Sequence, residues 1–150
     1  MVLYERITSN IMMQEYIPIP TGSTSVSLYL QMQASASPNQ PTAGFTFDEA
    51  GIILSYCKKR AARVAITPVT LAAITTAWTV GGVRLVDDTN MIGLVRFDVP
   101  DAMFAPDGVS DEVFFSVQAT AFEPTVVRIP LIDPIKRDVT LTGTTVRTNN

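Results

Sequence analysis

Four aspartates crowd one stretch of this chain. Asp87, Asp88, Asp98 and Asp101 lie within VRLVDDTNMIGLVRFDVPD, residues 83–101, and Asn90 sits among them. Oxygen-bearing side chains at this density are what a hard cation takes as ligands. The ligand order of an EF-hand loop is absent, however. The other reading is turn and cap chemistry, in which Asp and Asn side chains accept hydrogen bonds from nearby backbone N–H groups. Asp87, Asp88, Thr89 and Asn90 then form the bend between two strands, and Asp98 to Asp101 ends the second strand and caps a helical turn. The spacing favours turns and caps; cation binding by Asp87, Asp88 or Asp98 stays open on the sequence alone. Asp107, Asp111 and Glu112 read the same way, as a solvated loop.

Cys57 is followed by Lys58, Lys59 and Arg60, cations that lower a thiol pKa. A nucleophile also needs a base, and the chain contains no histidine. Cys57 therefore reads as a strand cysteine. No two carboxylates are spaced as a glycosidase pair across a cleft. The expectation is a non-enzymatic protein with no catalytic, cofactor or metal residues. Tyr29, Phe45, Tyr56 and Trp78 are the aromatics that a sugar-stacking surface would use. Tyr29 is the most suggestive, because its strand places it on the polar side. The alternative for all four is a core edge or a subunit contact.

Composition narrows the classes further. Of 150 residues, 47% are apolar and 17% charged, with a net charge of -3. Such a chain buries a core, carries no basic footprint for nucleic acid, and is poor enough in charge to hide surface against partners. One cysteine forms no internal disulfide. The first ten residues, MVLYERITSN, lack the basic and apolar regions of a signal peptide. No apolar run reaches the roughly 18 residues of a spanning helix. A soluble protein made in a reducing cytoplasm, with no membrane partner, is expected.

The elements that must position these residues read as strands. TSVSLYLQMQ, residues 24–33, alternates Val26, Leu28, Leu30 and Met32 against Ser25, Ser27, Tyr29 and Gln31, the period of a half-buried strand. Residues 34–43 are small and Pro-containing, a loop by composition. Strands follow at 52–57, 62–66, 83–85, 94–99, 112–119 and 125–132. In the last of these Val127, Ile129 and Leu131 form the core face. Thr67 and Pro68 suit a helix start, so Val69 to Ile74 reads as a short helical stretch, although Thr70, Thr75 and Thr76 equally suit an extended chain. About seven core strands at spacings near ten residues predict an all-β, antiparallel sandwich. Residues 1–22 read as an N-terminal arm or edge strand, 23–132 as the sandwich, and 133–150 as a Thr-rich C-terminal arm with one further strand possibility at Asp138 to Thr142. Met12, Met13, Tyr16 and Ile17 of the first arm are apolar and precede the alternating core. With Tyr29 and Trp78 they are the candidate partner-binding residues, suited to strand addition on a neighbouring subunit or to an extra edge strand in their own.

Three segments carry a family resemblance: AARVAITPVTLAAITTAW (61–78), GGVRLVDDTNMIGLVRFDVPDAMFA (81–105) and EVFFSVQATAFEPTVVRIPLI (112–132). Together they resemble the small Ig-like β-sandwich modules of tailed-bacteriophage virion proteins, found in decoration, fibre-anchoring and upper-baseplate-type proteins. The chain departs from the family in its two arms and in stopping without a long fibre region. The resemblance implies a structural protein of the virion, made in the host bacterial cytoplasm. It implies binding to other virion proteins of capsid, collar or tail, as a capsid decoration or as an anchor for fibres or spikes. It also implies a homo-oligomer, commonly a trimer. The alternative within the same resemblance is a module that binds host-surface glycan.

Overall fold

Alternating side chains and closely spaced turns leave this chain little choice but sheet. The computed structural model describes residues 14–15, 18–37 and 40–133. Their strands are β1 (Gln14–Glu15), β2 (Ile19–Pro20), β3 (Ser27–Gln31), β4 (Ile53–Lys58), β5 (Val64–Ile66), β6 (Val69–Thr70), β7 (Gly82–Asp87), β8 (Met91–Asp98), β9 (Glu112–Ala119) and β10 (Phe122–Ile132). A 310 turn at Asp101–Met103 is the helical element among the described residues, as expected from Pro100. No helix among them is long and apolar enough to cross a membrane. Met12, Met13, Tyr16 and Ile17 lie outside the described residues, as does the C-terminal arm beyond Asp133.

Two sheets result. One has six strands in the order β1-β10-β9-β4-β5, with β2 also on β10; the other has four, in the order β3-β8-β7-β6. The long pairings are antiparallel, including β9 with β10, β4 with β9 and β7 with β8. The short ones, β1 and β2 on β10 and β6 on β7, are parallel. The sheets are thus mixed, which corrects the expected antiparallel set of about seven strands. A two-residue strand has no period to read, so β6 does not show in the sequence, while β1 and β2 fall within residues 1–22, expected as an arm or edge strand. Residues 69–74 are not helical either: Val69 and Thr70 pair with Gly82 and Val83, and turns follow. The β-branched residues there favour extended chain over helix.

Period-two strands send alternate side chains inward. Leu28, Leu30 and Met32 from the first good strand meet Val95 and Phe97 of β8, Val113, Phe115 and Val117 of β9, and Val127 and Ile129 of β10 in one buried cluster. Aromatic rings tie the layers together. Phe97 of one sheet and Phe115 of the other lie 5.7 Å apart, and Phe45 packs edge-on against Phe97 at 5.8 Å and Phe122 at 4.7 Å. Phe45 and Tyr56, weighed above as sugar-stacking surface, are core residues.

Strand β10 is the longest and lies near a sheet margin, where an open edge invites unwanted pairing. Three short pieces cover its far side. Residues 33–35 hold its start, with Ser35 N donating to Ala121 O and Glu123 N to Gln33 O. Strand β1 pairs at Val127 and Arg128, and β2 at Leu131 and Ile132.

Phe97 touches rings of both layers, so its removal opens a cavity that neither sheet alone can close. Phe97→Ala is expected to destabilise the protein by about 3–5 kcal/mol, read from a urea titration.

Candidate functional site

Strand β8 should bury one face only, yet every residue from Val95 to Val99 is buried. Val95, Phe97 and Val99 face the core. Arg96 and Asp98 share the opposite face, because residues two apart on a strand point the same way. They form a two-pronged ion pair, Arg96 Nε to Asp98 Oδ1 at 2.8 Å and Arg96 Nη2 to Asp98 Oδ2 at 2.8 Å. Only 6% of Arg96 and 1% of Asp98 is exposed.

The loop between β6 and β7 covers this pair. Arg96 Nη1 donates to the carbonyls of Ile74 (2.6 Å) and Thr76 (3.0 Å). Asp98 accepts from Thr79 N at 3.0 Å and from Ser27 Oγ at 2.6 Å. Each Asp98 oxygen thus receives two hydrogen bonds, and the Arg96 pKa is raised, first by its hydrogen bonds to Asp98. The Trp78 indole N–H donates to Val26 O at 3.1 Å, which clips the same loop to the start of β3. Leu71 is buried under it. Glycine makes the close approach possible. A Cβ on Gly81, which has φ +78°, would stand 2.0 Å from Thr67 O, and one on Gly82 would stand 2.9 Å from Asp98 Oδ2.

The four aspartates of residues 83–101 are not brought together. Asp87 and Asp88 stand at one end of β8 and Asp98 and Asp101 at the other, and each has a local duty. Asp87 Oδ1 accepts from Thr89 N (2.8 Å) and Asn90 N (3.0 Å), and its Oδ2 accepts from Asn90 Nδ2. Asp88 Oδ1 accepts from Gly44 N and Asp101 Oδ1 from Ser25 N. Asp107 closes the next turn by accepting from Val109 N and Ser110 N. Among the described residues, no three His, Cys, Asp or Glu side chains gather as a metal-holding group. Cys57 is a half-buried free thiol opposite Phe114 on β9.

A second charged group lies where β4 ends and β9 begins, near the 310 turn. Lys59 Nζ reaches Asp111 Oδ1 at 3.1 Å and Glu112 Oε1 at 3.2 Å, and Arg128 Nε donates to Glu112 Oε2. These contacts lower the Asp111 and Glu112 pKa values and raise that of Lys59.

What remains open to a partner is apolar. Tyr29 is 43% exposed, Met91 49% and Ile92 44%. With Gln31, Pro41 and Leu94 they line a shallow depression of about 570 Å³ on the outer side of the four-stranded sheet. Pro41 comes from the loop expected at residues 34–43 and bridges back to Gln33. Of the candidate partner-binding residues, Tyr29 is therefore at a surface. Trp78 is half-buried and holds its own loop. Sequence reasoning missed the Arg96–Asp98 pair, although R-x-D on a strand is the signal that carries it. It also missed Met91 and Ile92, which fall between the expected bend at 87–90 and the expected strand at 94–99 and belong to β8.

Asp98→Ala leaves a buried guanidinium without its anion, a loss of about 3–5 kcal/mol. The single tryptophan reports the consequence directly: as the loop lifts, Trp78 emission should move to longer wavelength in the variant. Acid has a separate effect. Asp87, Asp107, Asp111 and Glu112 have lowered pKa values in the folded state. Their contribution is present above the unfolded values of about 4 and is lost as pH falls through the lower folded values. Thermal unfolding between pH 6 and pH 2 should show stability level at first and falling below roughly pH 4.

No protein-family model, curated protein or solved structure compared with the chain matches it.

Proposed function

We propose that the chain is a non-enzymatic structural protein of a tailed-phage virion, its two sheets forming an Ig-like β-sandwich. It binds other virion proteins as a capsid decoration or as an anchor for fibres or spikes, is made in the host bacterial cytoplasm, and assembles as a homo-oligomer, a trimer by the resemblance. The observation that carries this reading is where polar and apolar groups are spent. The candidate carboxylates are engaged in turns, an ion pair and strand ends, while Tyr29, Met91 and Ile92 stand exposed together on one sheet face. Contiguous exposed apolar surface on a folded domain marks a contact with another protein. Met12, Met13, Tyr16 and Ile17 of the N-terminal segment are apolar as well. Repetition on a symmetric particle would multiply a modest affinity at each contact.

A second reading, binding of host-surface glycan, has one observation in its favour. Tyr29 shares its depression with Gln31 and Asn90, an aromatic ring beside two amides.

Purified particles and purified chain separate the two. On the assembly reading, the chain co-sediments with particles, and Met91→Asp combined with Ile92→Asp lowers its occupancy at least about tenfold, a 1.4 kcal/mol loss or more. Particles lacking the chain, with glycan-array binding abolished by Tyr29→Ala, would establish the second reading instead.

A further inference from the structure

Strand β6 covers only the beginning of β7. It pairs with Gly82 and Val83 and then leaves the sheet. From Arg84 to Asp87, β7 has β8 on one side and, on the other, a groove of about 390 Å³ walled by residues 44–48. Phe47, Leu85 and Val86 make the groove apolar, and Asp48, Asp87 and Asp88 make its rim acidic. Arg84, a base on the same wall, turns its Nη1 toward the Leu71 carbonyl at 3.5 Å. A strand margin beside an apolar floor is the setting in which an extended segment adds to a sheet.

The chain itself contains a segment of the matching kind. Residues 134–150 carry Lys136, Arg137 and Arg147 against Asp138, a local charge of +2 in a chain whose net charge is -3. Val139-Thr140-Leu141-Thr142 in the same segment alternates apolar and polar residues as an edge strand does. Reach bears on which copy supplies it. Asp133 lies beside Thr21, Pro106 and Asp107, at the end of the sandwich that holds the 310 turn. The acidic rim lies at the other end of β8, whose eight residues span roughly 24 Å between first and last Cα atoms. Arg137 is four residues past Asp133, at most about 14 Å of extended backbone. Even with extended side chains, the chain's own Lys136 and Arg137 meet its own rim only along a taut, straight course, a constraint that the segment of a second copy does not have.

We infer that the groove beside β7 is a docking site for the C-terminal segment of a second copy, with residues 138–142 as the added strand and Lys136 and Arg137 against Asp48, Asp87 and Asp88. The inference deepens the assembly reading proposed above and rests on it. It supplies a head-to-tail contact, in which the donor end of one copy meets the acceptor end of the next; such contacts give a ring where the rotation closes and an open filament where it does not.

The full chain tests this by light scattering and amide hydrogen exchange together, in low salt and in about 1 M salt, where the screening length falls to about 3 Å. The wild-type chain should be oligomeric in low salt, with the Leu85 and Asp87 amides protected. High salt should weaken both properties. Lys136→Glu combined with Arg137→Glu should yield a smaller species in which those two amides exchange at least about tenfold faster, while amides of the β9 centre are unchanged and show that the fold is intact. Asp48→Lys, a change on the acceptor side, should act alike, and mixing the donor and acceptor variants should restore association between unlike copies, because the acceptor variant keeps its basic segment and the donor variant keeps its acidic groove. An oligomer of unchanged mass and unchanged protection in all variants overturns the inference while leaving the assembly reading standing. A wild-type chain that is monomeric at every concentration and absent from particles overturns both. A monomer whose Leu85 protection still depends on Lys136 and Arg137 overturns the assignment to a second copy.

Discussion

A charged pair buried against the outer face of a sheet is what turns a two-layer arrangement into this fold. Sheet faces away from the core are normally left to water. Here Arg96 and Asp98 project from β8 on that side and are covered by the loop between β6 and β7. The pair binds backbone rather than side chains for the most part: two carbonyls and one N–H of the loop depend on it. A loop has many backbone groups that must find partners when water is excluded, and a guanidinium with a carboxylate offers both donors and acceptors at fixed geometry. Ser27 Oγ on Asp98 and the Trp78 indole on Val26 O bring β3 into the same arrangement. The pair thus sets how the four-stranded sheet meets the crossover that joins β6 to β7.

This explains why the two glycines between loop and strand are placed where they are. The chain must turn back within touching distance of Thr67 and then pass directly under Asp98, and a side chain at either position would meet those atoms. Backbone packed this tightly against a charged pair leaves no room for solvent or ligand at that site. The other acids at the two ends of β8 are occupied in a different manner: Asp87 closes its own turn, while Asp88 and Asp101 hold the distant backbone N–H groups of Gly44 and Ser25. What the turns and the loop leave uncovered on that sheet face includes the apolar side chains of Tyr29, Met91 and Ile92.

Much of the architecture is legible in the residues, and the limits follow from physics. The alternation in TSVSLYLQMQ identifies β3 and its buried side, because burial acts on each side chain of a strand independently of its partners. The turn-forming role of Asp87 and Asn90 is readable for a similar reason, since an Asx turn is local. The strands of two residues are not readable, because nothing in Gln14–Glu15 or Val69–Thr70 repeats; neighbours far away in sequence create them. Thr67-Pro68 shows the converse error. It carries a sound helix-start signal, and the edge of β7 takes the following residues into a sheet instead. For the surfaces, exposure of Tyr29 could be read from its strand. Burial of Phe45 and Tyr56 could not be separated from exposure, because an aromatic on a loop or a strand end takes its surroundings from the whole fold.

The covering of β10 bears on the order in which the chain acquires its structure. The partners of that strand's margin include β1 and β2, which lie roughly a hundred residues away in sequence, and closing so long a loop is slow. Chains emerge from the ribosome N-terminus first, so β1 and β2 have no place to settle until β10 has formed. For that interval the apolar N-terminal residues and the bare strand margin coexist in one incomplete molecule. Crowded nascent copies would then compete for each other's margins, and synthesis rate becomes a determinant of how many chains close on themselves.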